Sequence, residues 1–262
     1  MPDDSNETTD LNREAELARR LTLPEFPRSA ACDPRWMLKN LMGPNVIWLA
    51  ESLTQVMRLE PGMRVLDMGC GRAISSIFLA KEFDVQVWAT DLWVTPDENW
   101  ERIKQAGLAA SVFPIHAEAH DLPYAAGFFD ALVSLDAYHY FGTNDLYLQY
   151  YARLVRAGGP IGIVVPGIRQ EFAGGLPGHL APYWERDFWS FHSPQWWRTL
   201  WERTGPVKVE HADMAPDGWH QWITWLEVCR DFHYPFPPSE LEMLRLDAGR
   251  NLGFSRIVAR KI

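Results

Sequence analysis

An acid and two glycines stand together at the end of an apolar run, in Val65-Leu66-Asp67-Met68-Gly69-Cys70-Gly71-Arg72-Ala73. Glycine there lets a ligand approach the bare backbone, and a helix that follows such a turn offers its unpaired N–H groups. The spacing departs from the dinucleotide fingerprint G-x-G-x-x-G, because the acid stands two residues before the first glycine and Ala73 follows the second by two. A second acid, Asp91, lies 24 residues beyond Asp67 at the tip of the next β-rich run. A carboxylate in that place can accept hydrogen bonds from both ribose hydroxyls of an adenosine-containing ligand. Further on, Leu135-Asp136-Ala137-Tyr138-His139-Tyr140-Phe141-Gly142 carries side chains that can act on a substrate. His139, with an ordinary pKa near 6.5, suits a general base at neutral pH. Tyr138 and Tyr140 can orient a substrate through their hydroxyls. The competing reading of all three is structural packing. His192, in Phe191-His192-Ser193-Pro194, is a weaker candidate.

These residues need elements to position them. Short β-rich runs at Arg64–Met68, Val85–Thr90, Val112–His116, Ala131–Leu135 and Ile161–Val165 alternate with segments of helical spacing such as Ile74, Ile77 and Phe78. Alternation of this kind implies right-handed crossovers and a doubly wound, mostly parallel α/β sheet. Ligands of such sheets bind beyond the carboxyl ends of the strands, which is where the residues above fall. Two more strands are expected at Pro206–Met214 and Gly253–Ile262, making seven. Helices are expected after Asp10, over Val46–Met57, over Gln195–Arg203 and from Ser239 to Asp247, with Gly249 placed to end the last. The division that follows is a disordered start at residues 1–10 and a single domain over 11–262. Within it, a ligand-binding core spans about 60–167, and a cover is drawn from about 11–58 and 168–252.

Composition limits the partners. A formal charge of −9 and a pI near 5.4 argue against nucleic acid, whose affinity rests on Lys and Arg. Cys32, Cys70 and Cys229 are far apart and form no CxxC pair, so no disulfide framework or thiolate metal site is expected. The remaining histidines lack metal-ligand spacing, and no metal is expected. The polar, acidic N-terminus and the lack of an apolar run of about 18 residues point to a cytoplasmic protein without stable membrane association. Monomer and homodimer both stay open. Tryptophan is over-used, with 13 in all and eight between Trp184 and Trp225. Trp184, Trp189, Trp196, Trp197 and Trp219 can line a pocket for an amine or flat organic substrate, or simply pack a less regular region onto the sheet.

Taken in order, the pieces resemble the class I S-adenosylmethionine (SAM)-dependent methyltransferases over most of residues 40–170. The resemblance implies that Asp67-Met68-Gly69-Cys70-Gly71 lies against the amino-acid part of SAM and that Asp91, with Leu92 after it, holds the ribose. It also implies that Glu118-Ala119 of Glu118-Ala119-His120-Asp121-Leu122-Pro123-Tyr124 meets the adenine, Glu118 replacing the usual Asp. Leu135 completes the implied cofactor set. Phe129 to Ser134 matches the fourth strand of that family. Leu154 to Gly159 matches the turn into the fifth, with Ala157 where Pro is common. Nucleic-acid amino methyltransferases carry a Pro-Pro pair after the fourth strand, and this chain has none. The stretch Ser134 to Gly142 is closer to Ser-Ile-Gly-Ala-Phe-Glu-His-Phe-Gly of cyclopropane fatty acid synthases, with His139 in place of the glutamate. The implied function is methyl transfer to the N, O or C atom of a small molecule. A lipid-modifying enzyme of the cyclopropane synthase type, a polyketide or isoprenoid C-methyltransferase and a non-catalytic SAM-binding protein are the alternatives.

Overall fold

A computed structural model describes residues 4–262, with side chains from residue 11 onward. Its centre is a seven-stranded sheet built from β1 (Arg64–Met68), β2 (Gln86–Asp91), β3 (Val112–His116), β4 (Ala131–Leu135), β5 (Pro160–Ile168), β6 (Val207–Met214) and β7 (Leu252–Lys261). The strands lie in the order β3-β2-β1-β4-β5-β7-β6. All neighbours are parallel except β7, which runs antiparallel to both β5 and β6. The strand order reverses between β1 and β4, so the loops after these two strands diverge and leave a crevice.

β4 and β5 are buried along their whole length, as apolar strands covered on both faces must be. The two-residue period then divides the side chains of β1 and β4 between two faces. Val65 and Val133 join one core, with Ile47 and Leu53 of α3 (Val46–Thr54), Ile77 and Phe78 of α4 (Ile74–Phe83) and Ile103 of α5 (Pro96–Gln105). Leu66 and Leu132 join the other, with Tyr147 and Tyr151 of α6 (Tyr147–Ala152) and Trp197 and Trp201 of α7 (Pro194–Thr204). α8 (Gly218–Asp231) and α9 (Pro238–Asp247) belong to the first core. Pro at the first position of α7 and the Ser193 side chain accepting from the Trp196 N–H start that helix.

At the N-terminus α1 spans Asp4–Leu21, so the helix expected after Asp10 begins earlier. The expected disordered start overlaps it over residues 4–10, and residues 1–3 lie outside the described residues. α2 (Pro34–Lys39) leads into a loop over residues 40–45 that crosses the crevice before α3 begins. No described helix is long and apolar enough to cross a membrane.

Candidate active site

Two adjoining cavities lie at the carboxyl ends of β1, β2 and β4. The first, of about 320 Å³, is lined by Gly69, Cys70, Gly71, Asp91, Leu92, Glu118, Ala119 and Leu135, which brings together eight of the nine expected cofactor residues. Gly69 and Gly71 have φ of 75° and 53°, the left-handed region. A Cβ on Gly69 would lie 2.3 Å from that of Ala137, so the turn after β1 and the turn after β4 touch through this glycine.

Asp91 fixes the cavity floor. One carboxylate oxygen accepts the Gly71 N–H at 2.8 Å, and the other accepts those of Trp93 and Val94 at 2.7 and 2.9 Å. A carboxylate has about four lone-pair positions, so one remains for a ligand hydroxyl, where two ribose hydroxyls were expected.

Asp67, the ninth, needs correction. It is fully buried beneath the turn, does not line the cavity, and accepts the hydroxyls of Ser75 and Ser76 at 2.6 Å each. Burial pushes its carboxyl up to about 6 against those two bonds. It anchors the first turn of α4 and so sets the path of the glycine turn. Burial also pushes the Cys70 thiol well above its ordinary value, which keeps it an inert wall. Glu118 lies at the exposed rim, accepting the His120 backbone N–H at 2.7 Å and standing 2.8 Å from its Nδ1.

The second cavity, of about 460 Å³, shares Leu41, Met42, Gly43, Pro44, Asp136, Tyr140 and Trp225 with the first. Tyr140 stands at this junction, 54% exposed, with Trp93 edge-on at 6.0 Å across the mouth. His139 lines the second cavity, its ring 4.0 Å from that of Tyr140. It is 2% exposed, and burial pulls its imidazole down to about 3. The expectation of a base poised for neutral pH is therefore corrected: His139 is a neutral ring and a weak proton acceptor. Tyr138 is corrected too, being wholly buried among Tyr147, Tyr151, Trp197 and Trp201. His192 stacks on Trp196 at 3.5 Å and stands 3.1 Å from a Glu171 carboxylate oxygen, away from both cavities.

Of the five tryptophans weighed for a pocket against simple packing, none lines either cavity, and Trp222 and Trp225 line the second instead. Trp196 and Trp197 pack on the α6 side of the sheet, whereas Trp184 sits among Phe172, Phe188 and Phe191. Two acids were not foreseen as a pair. Asp136, at the tip of β4, has φ of 53°, a left-handed conformation that Asp tolerates better than most residues. Glu240, in the first turn of α9, reaches the same cavity and accepts the Trp222 indole N–H at 2.7 Å. Burial raises Asp136 well above the usual carboxylate range and raises Glu240 to about 7. Among the described residues no cluster of His, Cys, Asp and Glu is arranged to hold a metal.

Residues 65–159, which hold β1 to β4 and the cofactor turn, match the methyltransferase domain family. Over these residues the chain carries a methyltransferase domain. Among curated relatives it is 28% identical to 27-O-demethylrifamycin SV methyltransferase of Amycolatopsis mediterranei over 44% of this chain and 43% of that one. It is 30% identical to sarcosine/dimethylglycine N-methyltransferase of Halorhodospira halochloris over 39% and 37%. The chain thus spans less than half the length of these relatives. The geranyl diphosphate C-methyltransferase of Streptomyces coelicolor A3(2), solved with S-adenosyl-L-homocysteine, superposes with a TM-score of 0.68 at 14% identity, covering 93% of this chain and 88% of that one. That likeness establishes the class I methyltransferase fold, with the first cavity lying beyond the glycine turn after β1.

Proposed function

We propose that the protein transfers a methyl group from SAM to a small organic molecule seated in the second cavity. One observation carries this reading: the cavity bordered by the glycine turn and Asp91 opens, at Asp136 and Tyr140, into a second cavity walled mostly by side chains outside the matched domain. A SAM-binding protein without catalysis needs only the first.

The residues fit the cofactor. Gly69 and Gly71 border the cavity with bare backbone, Asp91 keeps one acceptor position, and Leu92, Ala119 and Leu135 supply apolar walls with Glu118 at the rim. SAM supplies a methyl group already activated on a sulfonium. The chain's part is to hold an acceptor atom at the junction, in line and roughly 3 to 3.5 Å from the carbon it attacks. Tyr140 is placed to orient that acceptor, and the 40–45 loop and Trp225 keep water from it. The negative charge of the chain supports a small-molecule acceptor over nucleic acid, and a cytoplasmic enzyme fits free, mostly buried thiols.

Calorimetric titration with SAM tests the first half. Wild type binds, and Asp91→Ala weakens binding more than about tenfold, because both a ligand acceptor and the anchor of Gly71 are lost. Equal affinity in the variant sinks the cofactor assignment. A tritiated-methyl screen over amines, phenols, thiols and lipids tests the second half, and no transfer to any class leaves only the binding role.

A further inference from the structure

The second cavity contains two carboxylates and no cation. Asp136 and Glu240 both line it, and neither lysine nor arginine does. No hydrogen bond among the described residues reaches the Asp136 carboxylate. What acts on it is burial and the like charge of Glu240, while Glu240 also feels Glu185. His139, 2% exposed on the same wall, has an Nδ1 with no partner. The rest of the wall is apolar and rich in aromatic rings, among them Tyr140, Phe188, Phe191, Trp222, Trp225 and Phe236.

Two acids on the wall of one apolar cavity carry a cost as carboxylates, which they escape by taking up protons or by meeting a cation. A cation there would meet the carboxylates at one side and aromatic faces at the other, the combination that holds ammonium groups. A phosphate or carboxylate would instead face like charge with no counter-charge on the wall. We propose that the second cavity selects a methyl acceptor that carries a cationic nitrogen as its binding handle, an ammonium or quaternary ammonium group met by Asp136 and Glu240, while the methyl group goes to another atom of the acceptor that keeps a lone pair. This assignment rests on the methyltransferase reading for the word acceptor; the cation preference stands on the cavity alone.

The test compares shape-matched probes of different charge. Phenethylamine, phenethyl alcohol and phenylacetate are titrated into the protein saturated with S-adenosylhomocysteine, with calorimetry as the readout and intrinsic tryptophan fluorescence beside it. The amine binds at least about tenfold tighter than the alcohol, and the carboxylate binds weakest. Glu240→Gln, which keeps an acceptor for the Trp222 N–H, brings amine and alcohol within about threefold while leaving S-adenosylhomocysteine affinity unchanged. Asp136→Asn, which tolerates the same left-handed backbone, does likewise to the amine preference. The proposal is overturned if the alcohol or carboxylate binds as tightly as the amine. It is overturned equally if Glu240→Gln keeps the full preference, or if neither the amine nor tetramethylammonium binds at about 10 mM. Loss of S-adenosylhomocysteine binding by wild type would sink the cofactor reading and is seen before any probe is added.

Discussion

Asp67 and Asp91 are both acids next to the glycine turn, yet their surroundings give them different tasks. Asp91 accepts three backbone N–H groups and still borders the cavity, whereas Asp67 sits in the interior with only two serine hydroxyls. Burial, with a smaller push from the Asp91 charge, outweighs the Ser75 and Ser76 bonds and raises the Asp67 carboxyl to about 6. A raised carboxyl means that the folded protein holds this proton more tightly than the unfolded chain does. Its contribution is therefore fully present below about pH 4 and is lost as pH rises through 6. Relative to Asp67→Asn, whose side chain does not titrate, wild type should lose on the order of 2 to 3 kcal/mol of stability between pH 4 and pH 7. Urea unfolding of both proteins at the two pH values measures this, and parallel behaviour would show that Asp67 is not perturbed. His139 gives a second residue-scale expectation. A ring held near 3 is neutral across the working range, so His139→Gln should leave the shape of a pH–rate profile between 6 and 9 unchanged while altering the acceptor's KM. A lost limb near pH 6.5 would restore the general base.

At the scale of elements the site depends on the 40–45 loop, which walls both cavities and is held from two sides. Asn45 caps α3, accepting the Ile47 and Trp48 N–H groups at 3.1 and 3.3 Å, and the Trp225 indole N–H of α8 donates to the Gly43 carbonyl at 2.9 Å. Trp225→Phe keeps an aromatic ring against Trp48 but drops that bond, which is worth about 1 kcal/mol. It should raise the dissociation constants of SAM and of an acceptor together by about three- to tenfold, and titration of each ligand separately would expose an effect on one alone. This junction also marks where the sequence stops being legible. The seven strands follow from local runs and turns, and the residues after β1, β2 and β4 follow from the rule that ligands sit at carboxyl ends of parallel strands. Glu240 does not, since by sequence it is an ordinary acid in the first turn of a helix, favoured there by the helix dipole. Only the packing of α9 onto α8 brings it into the cavity with Asp136, 104 residues earlier. The tryptophans fail for a similar reason. Helical spacing puts Trp219, Trp222 and Trp225 on one stripe, but which of them meets the cavity depends on β7, where Trp222 stacks on Phe254 at 4.8 Å.

For the whole molecule, the two cavities are a joint product of three separated parts of the chain. Their walls come from residues 40–46, from the turns between residues 68 and 141, and from residues 166–240. The parallel sheet supplies only the middle part, and the first and last parts must fold over it before either ligand has a complete site. SAM should therefore bind the native state and have little affinity for an unfolded or half-docked chain. Mass action then makes the cofactor a measure of global order: at a hundred times its dissociation constant it adds about 2.7 kcal/mol. In a domain of this size that corresponds to a rise in melting temperature of about 5 to 10 °C. Asp91→Ala should lose most of the rise at the same SAM concentration, and deletion of residues 11–45 should abolish it even where the sheet survives. Differential scanning calorimetry with and without SAM reads all three proteins. A truncated chain that keeps the full shift would mean that the first cavity needs no N-terminal wall, and that the 40–45 loop serves the acceptor alone.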